Sequence, residues 1–135
     1  KMKKKICIVV ANYYPKISKD LLLESSKILK INGIKNYKTY KVPGVFEIPF
    51  VIAKNINRYD GFIALGCVIK GKTPHFNFIS KSSIDALMSL STTYKKPIGN
   101  GIITCLSKKQ ALERSSKLNN KGKESTLAML SLLKI

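Results

Sequence analysis

The sequence predicts a small three-layer α/β/α sandwich on a four-stranded parallel sheet. Three observations predict it. The runs Ile6-Cys7-Ile8-Val9-Val10-Ala11 and Gly61 to Ile69 are continuously apolar, the character of strands buried on both faces. Segments of helical periodicity separate the strands, which implies parallel pairing through right-handed crossovers. The length, 135 residues, suits one domain over 1–135 and leaves no room for a two-domain dinucleotide enzyme.

The elements follow in order. A strand from Ile6 to Ala11 is interrupted by Asn12 to Lys16, with Pro15 as punctuation. Ser18 is expected to cap a helix in which Leu21, Leu22, Ser25, Ile28, Leu29 and Asn32 recur at helical spacing, and Gly33 suits its C′ position. Tyr37 to Val42 alternates polar and apolar, a second strand. Pro43-Gly44 ends it, and Pro49 fits the first turn of a helix reaching about Asn57. After the third strand, Gly61 to Ile69, comes a loop from Lys70 to Pro74. A helix from about Phe76 to Tyr94 then presents Ile79, Ser83, Ala86, Leu87 and Leu90 on one face. Pro97 leads into a fourth strand, Ile98 to Cys105, interrupted by Gly99 and Gly101. Ser107 is expected to cap a helix to about Leu118, Asn119 to Gly122 to turn the chain, and Lys123 to Leu133 to form the last helix.

Lys and Arg number 25 against 7 Asp and Glu, a formal net charge of +18. Such an excess fits a polyanion partner, but the lysines are dispersed and only Arg58 and Arg114 are arginine, so neither nucleic acid nor membrane is expected as a partner. Lys, Ile and Asn share A/T-rich codons, which explains the composition blandly; an anionic substrate would still be drawn in at low salt. Hydrophobic residues make up 44%, which excludes general disorder. No apolar run approaches the ~20 residues of a spanning helix. The start is basic from Lys1 to Lys5, and Ile6 to Ala11 is too short for a secretory core, so a cytoplasmic protein is expected; Lys1 ahead of Met2 reads as an added residue. Cys7, Cys67 and Cys105 are odd in number, unpaired as C-x-x-C and set in apolar runs, so they read as small buried hydrophobes. No metal-ligand spacing, glycine-rich nucleotide loop or serine elbow is present.

In open sheets of this type ligands bind beyond the carboxyl ends of the strands. That rule gathers Asn12-Tyr13-Tyr14-Pro15, Pro43-Gly44-Val45-Phe46-Glu47, Lys70-Gly71-Lys72-Thr73-Pro74-His75 and the segment after Thr104. Tyr13 and Tyr14 offer flat faces for stacking, and Glu47 can accept from hydroxyls. Lys72 and Thr73 supply charge and a hydroxyl at a helix start, an anion cradle. His75, the single histidine, can move protons near neutrality. Taken alone, a single His at a helix start is more often a surface or capping residue, and Tyr13-Tyr14 could simply cover the sheet end.

The segments Val42-Pro43-Gly44-Val45-Phe46-Glu47-Ile48-Pro49, Leu65 to Phe76 with its Lys70-Gly71-Lys72-Thr73-Pro74-His75 core, Pro97 to Thr104, Gln110 to Arg114 and Asn120-Lys121-Gly122 occur in order along the chain. In these the sequence resembles the lumazine synthase family, transferases of riboflavin biosynthesis. The resemblance implies condensation of 5-amino-6-(D-ribitylamino)uracil with 3,4-dihydroxy-2-butanone 4-phosphate to 6,7-dimethyl-8-ribityllumazine, phosphate and water. It implies a flavodoxin-like fold, in agreement with the sandwich above, and no metal or organic cofactor. It puts the pyrimidine platform on Tyr13, the ribityl chain along Val45, Phe46 and Glu47, and the pyrimidine pocket wall on Cys67, Val68 and Ile69. Lys72, Thr73 and Arg114 would hold phosphate and His75 would transfer protons. Asn100 would reach a neighbouring subunit's pyrimidine, with Lys121 near the shared pocket. The implied partners are the two small-molecule substrates and further copies of the chain, as a pentamer or a sixty-subunit shell, with a functional link to riboflavin synthase.

Overall fold

A computed structural model describes residues 3–135; the first two residues of the basic start, and with them the reading of Lys1 as an added residue, lie outside the described residues. Strand β1 (Ile6–Ala11) is followed by helix α1 (Pro15–Ile31) and strand β2 (Tyr37–Val42). A 3₁₀ turn (Val45–Glu47) runs straight into α2 (Ile48–Lys54), and β3 (Gly61–Ile69), α3 (His75–Tyr94) and β4 (Ile98–Cys105) follow. Helices α4 (Lys108–Arg114) and α5 (Lys121–Leu133) complete the chain. The strands pair in parallel as one four-stranded sheet in the order β2-β1-β3-β4. Ala11, Val42, Ile69 and Cys105 therefore end at one edge, and the chain reverses its direction of growth between β1 and β3, which places a crevice there.

The apolar runs are explained by helices on both faces. Ile6, Ile8 and Val10 pack with Leu21 and Leu29 of α1 and with Met129 and Leu130 of α5. The alternate residues Cys7, Val9 and Ala11 pack with Ile48 and Ile52 of α2 and with Leu87 of α3. Each fully buried aliphatic side chain contributes roughly 1.5–3 kcal/mol, so no position of β1 can be polar at low cost. The glycines inside β4 answer to close approach: a Cβ at Gly99 would collide with the Ser125 carbonyl, and one at Gly101 would lie 2.6 Å from Leu65 Cδ2. Helix α5 lies directly on this strand.

Several boundaries differ from the sequence reading. Ser18 is not the cap of α1. The helix starts at Pro15, whose missing N–H costs nothing in a first turn, and the buried Ser18 hydroxyl donates to the Ala11 carbonyl, tying α1 to the end of β1. Helix α2 stops at Lys54 rather than Asn57, because the Asn55 amide turns back to donate to Val51 O at 2.8 Å. Helix α3 begins one residue early, at His75. Ser107 does cap α4, accepting from Gln110 N at 3.2 Å, but that helix ends at Arg114, where the Ser115 and Ser116 hydroxyls bond the carbonyls behind them. Helix α5 starts at Lys121, two residues before the expected place, because Asn120 caps it. The other bounds agree, including Gly33 at φ 77° after α1.

Along α3 only Ser83 and Leu87 are buried, while Phe78 and Met88 stand exposed. Phe46 and Phe50 are also exposed near the start of α2, so the single chain leaves an apolar surface on this side of the sheet.

Candidate active site

At the end of β1 the rings of Tyr13 and Tyr14 meet edge to face, with centroids 5.0 Å apart and planes at 79°. Tyr14 packs on the core, and its burial raises its phenol above the ordinary value; Tyr13 is 70% exposed and presents a free face. After β2 the loop presses against the sheet. A Cβ at Gly66 of β3 would lie 2.8 Å from Val45 Cγ2 and 3.1 Å from Ala11 Cβ, so glycine there lets the β2 loop close over β1 and β3. Val45 is buried and Phe46 exposed. The Glu47 carboxylate accepts from Gly44 N at 2.9 Å, which holds it at the turn.

At the end of β3, Cys67 is buried and Val68 and Ile69 are half-buried. Lys70 N donates to Cys105 O at 2.8 Å, joining the exits of β3 and β4. Lys72, Thr73 and His75 follow, all exposed, with His75 N 3.4 Å from Thr73 Oγ1 and the imidazole at the first position of α3. Helix α3 packs against the 3₁₀ turn.

At the end of β4, Arg114 Nη1 donates to Thr104 O at 3.0 Å and lies 3.8 Å from Cys105 Sγ. Lys121 Nζ donates to both Glu124 oxygens, at 2.9 and 3.1 Å. Arg114, Lys121, Glu113 and Glu124 line one cavity of about 520 Å³ between α4 and α5. With Lys123 also on its wall, the hollow holds three cations against two carboxylates, which suits an anion whose charge displaces the Glu124 pairing.

The predicted residues thus fall into two groups and an outlier. Tyr13, Val45, Phe46, Glu47, Cys67, Val68, Ile69, Lys72, Thr73 and His75 lie at or just after the carboxyl ends of β1, β2 and β3. Arg114 and Lys121 share the α4–α5 cavity, which Lys72, Thr73 and His75 do not line. Asn100 is apart from both. It pairs with Ala64 in mid-strand, exposed on the edge strand, and its Oδ1 accepts from Ile102 N at 3.1 Å. Four residues of strand, roughly 13 Å, separate it from Thr104 at the rim. The sequence reading gave no role to Glu124; its i,i+3 spacing from Lys121 on a helix was the available signal.

All three cysteines are buried free thiols. Burial pushes Cys7 and Cys67 up to about 12, so neither offers a thiolate near neutrality. Burial also raises Cys105, with the Arg114 guanidinium pulling the other way. Among the described residues no three His, Cys, Asp or Glu side chains converge to hold a metal, and no helix is long and apolar enough to cross a membrane.

The sequence model of 6,7-dimethyl-8-ribityllumazine synthase matches residues 3–135. The chain belongs to the lumazine synthase family. A relative of that name from Bartonella tribocorum is 42% identical over 98% of this chain and 93% of its own length. One from Vesicomyosocius okutanii is 39% identical over 97% of this chain and 84% of its own. One from Buchnera aphidicola of Schizaphis graminum is 40% identical over 96% and 86%. As a lumazine synthase the chain is an enzyme, a transferase of riboflavin biosynthesis. The parallel sheet and its two helical layers are consistent with the flavodoxin-like fold of that family.

Proposed function

We propose that the chain condenses 5-amino-6-(D-ribitylamino)uracil with 3,4-dihydroxy-2-butanone 4-phosphate, giving 6,7-dimethyl-8-ribityllumazine, phosphate and water. The observation that carries this reading is the family match across residues 3–135, taken with functional side chains standing at the carboxyl edge of the sheet. The pyrimidine stacks on the free face of Tyr13 and lies against the exits of β1 and β3, where Cys67, Val68 and Ile69 form the wall. Its ribityl chain follows Val45 and Phe46 to the Glu47 carboxylate. Lys72 and Thr73 face the phosphate from the same side.

The chemistry is condensation followed by elimination. An amine of the pyrimidine adds to the ketone, and loss of water gives an imine. Phosphate then leaves, and the second amine closes the ring with loss of a further water. Amine and ketone react when held together, so proximity supplies most of the rate. His75 moves protons during imine formation and elimination. Arg114 grips the phosphate as a bidentate donor, and Lys121 adds charge beside it.

Arg114, Lys121 and Asn100 serve an adjoining copy's crevice. Asn100, the exposed residue of edge strand β4, and the apolar surface at Phe46, Phe50, Phe78 and Met88 support a homo-oligomer with shared sites, a pentamer or a sixty-subunit shell. Mixing both substrates with the purified protein and recording the fluorescence of the lumazine tests the activity. Fluorescence equal to the protein-free mixture rejects it.

A further inference from the structure

The connector between α4 and α5 bulges away from the core, with Lys117, Leu118 and Asn119 exposed, yet its two ends are held together. The holder is Asn120, which is 4% exposed. Its Nδ2 donates to Ser115 O at 2.8 Å and to Asp20 O at 3.1 Å. Its Oδ1 accepts from Gly122 N at 2.8 Å and Lys123 N at 3.2 Å. One amide thus spends both protons and both lone pairs, joining the residue after Arg114, the start of α5 beside Lys121, and the second turn of α1. Gly122 makes the approach feasible, because a Cβ there would collide with the Leu21 carbonyl of α1.

The consequence is geometric. Arg114 and Lys121 are long side chains that reach one cavity from two different helices. Their head groups can present a common anion site only if the helix ends that carry them stay in fixed relation. The backbone that joins them does not fix this relation, since residues 115–120 form no helix or strand. We propose that Asn120 is a positioning residue for phosphate binding: its buried amide sets the Arg114-to-Lys121 geometry without touching the substrate. The inference rests on the reading of that pair as phosphate holders. It assigns the two donated bonds to function and the two accepted ones to capping the helix.

The division can be tested because two replacements keep one half and lose the other. Asn120→Asp and Asn120→Ser both retain an acceptor for Gly122 N and Lys123 N, and all three residue types cap helices well. Neither can donate to both Ser115 O and Asp20 O. In the assembled enzyme each should raise KM for the four-carbon phosphate substrate by about tenfold, the scale expected when reacting groups are slightly misplaced. The KM of the pyrimidine and the assembly state should stay as in wild type. Inorganic phosphate, titrated calorimetrically, should weaken in parallel. Arg114→Ala is the control: if it leaves phosphate affinity intact, the phosphate reading falls and the inference with it. If Arg114→Ala weakens phosphate while both Asn120 variants bind it normally, the inference alone is overturned. It is equally overturned if both variants raise the two KM values together or lose the folded assembly, since Asn120 would then serve the fold only.

Discussion

The imidazole of His75 stands exposed at the first position of α3, with its backbone N–H directed at the Thr73 hydroxyl. In the proposed mechanism a proton shuttle in that position would speed a reaction that proximity already drives. His75→Ala should lower kcat by about 10²-fold or more without abolishing turnover. A pre-steady-state fluorescence assay across neutral pH checks this, and unchanged rates would remove His75 from the mechanism. Arg114 behaves differently. Its guanidinium is fastened to Thr104 O at 3.0 Å and needs no reorganisation to receive an anion. Arg114→Ala should act chiefly on KM of the phosphate substrate, and Arg114→Lys should restore charge but not the forked grip. Both effects can be read from initial rates at varied substrate. The chemical types of these residues were readable from the order of the chain. That Glu124 holds Lys121 by both carboxylate oxygens was not, because an exposed glutamate on a helix looks like any other solvated charge.

At the scale of elements, the strands were legible because both of their faces are covered, which forces long apolar runs. Helix ends were less so. Ser18 has a capping residue's chemistry, but the hydroxyl is spent on the Ala11 carbonyl, and Pro15 starts the helix instead. Helix α4 stops early because Ser115 and Ser116 offer their own carbonyl partners. The contact of α5 with β4 gives an element-level prediction. Gly99→Ala would push a methyl into the Ser125 carbonyl and should cost about 1–3 kcal/mol of stability by overpacking. Chemical denaturation of the two proteins measures it. The thiols in the strands give another. Burial raises Cys7 and Cys67 from 9.0 to about 12, so they stay protonated in the folded protein while the unfolded chain ionises. Above 9.0 the unfolded state binds fewer protons than the folded one, so the stability they contribute is whole below 9.0 and is lost as pH rises toward 12. Urea midpoints should fall through that window, and less steeply in Cys7→Ala, corrected for its lost packing.

The whole molecule carries +18, and four of its carboxylates are tied into local ion pairs with lysines. Those surface pairs are worth little stability, but the remaining excess makes a positive field. KM for the phosphate substrate should therefore rise with ionic strength, since the Debye length shrinks from about 10 Å at 0.1 M to about 3 Å at 1 M salt. The uncharged pyrimidine should respond much less, a contrast that steady-state kinetics in added potassium chloride reveals. The exposed apolar surface on α3 belongs to this scale too. Light scattering should show an oligomer, and its mass distinguishes five subunits from sixty.

By itself the sequence determined the alternation of strand and helix, the single parallel sheet, and the loops that follow the carboxyl ends of the strands. Those follow from periodicity, turn chemistry and the burial of apolar runs, which act over a few residues. Tertiary structure alone decided which side chains meet. Arg114 and Lys121 share a cavity because α5 docks on α1 through Asn120 and Gly122 and on β4 through Gly99 and Gly101, and Asn100 is kept out of it by its place in mid-strand. Such contacts join residues far apart along the chain, and no local pattern encodes their distances.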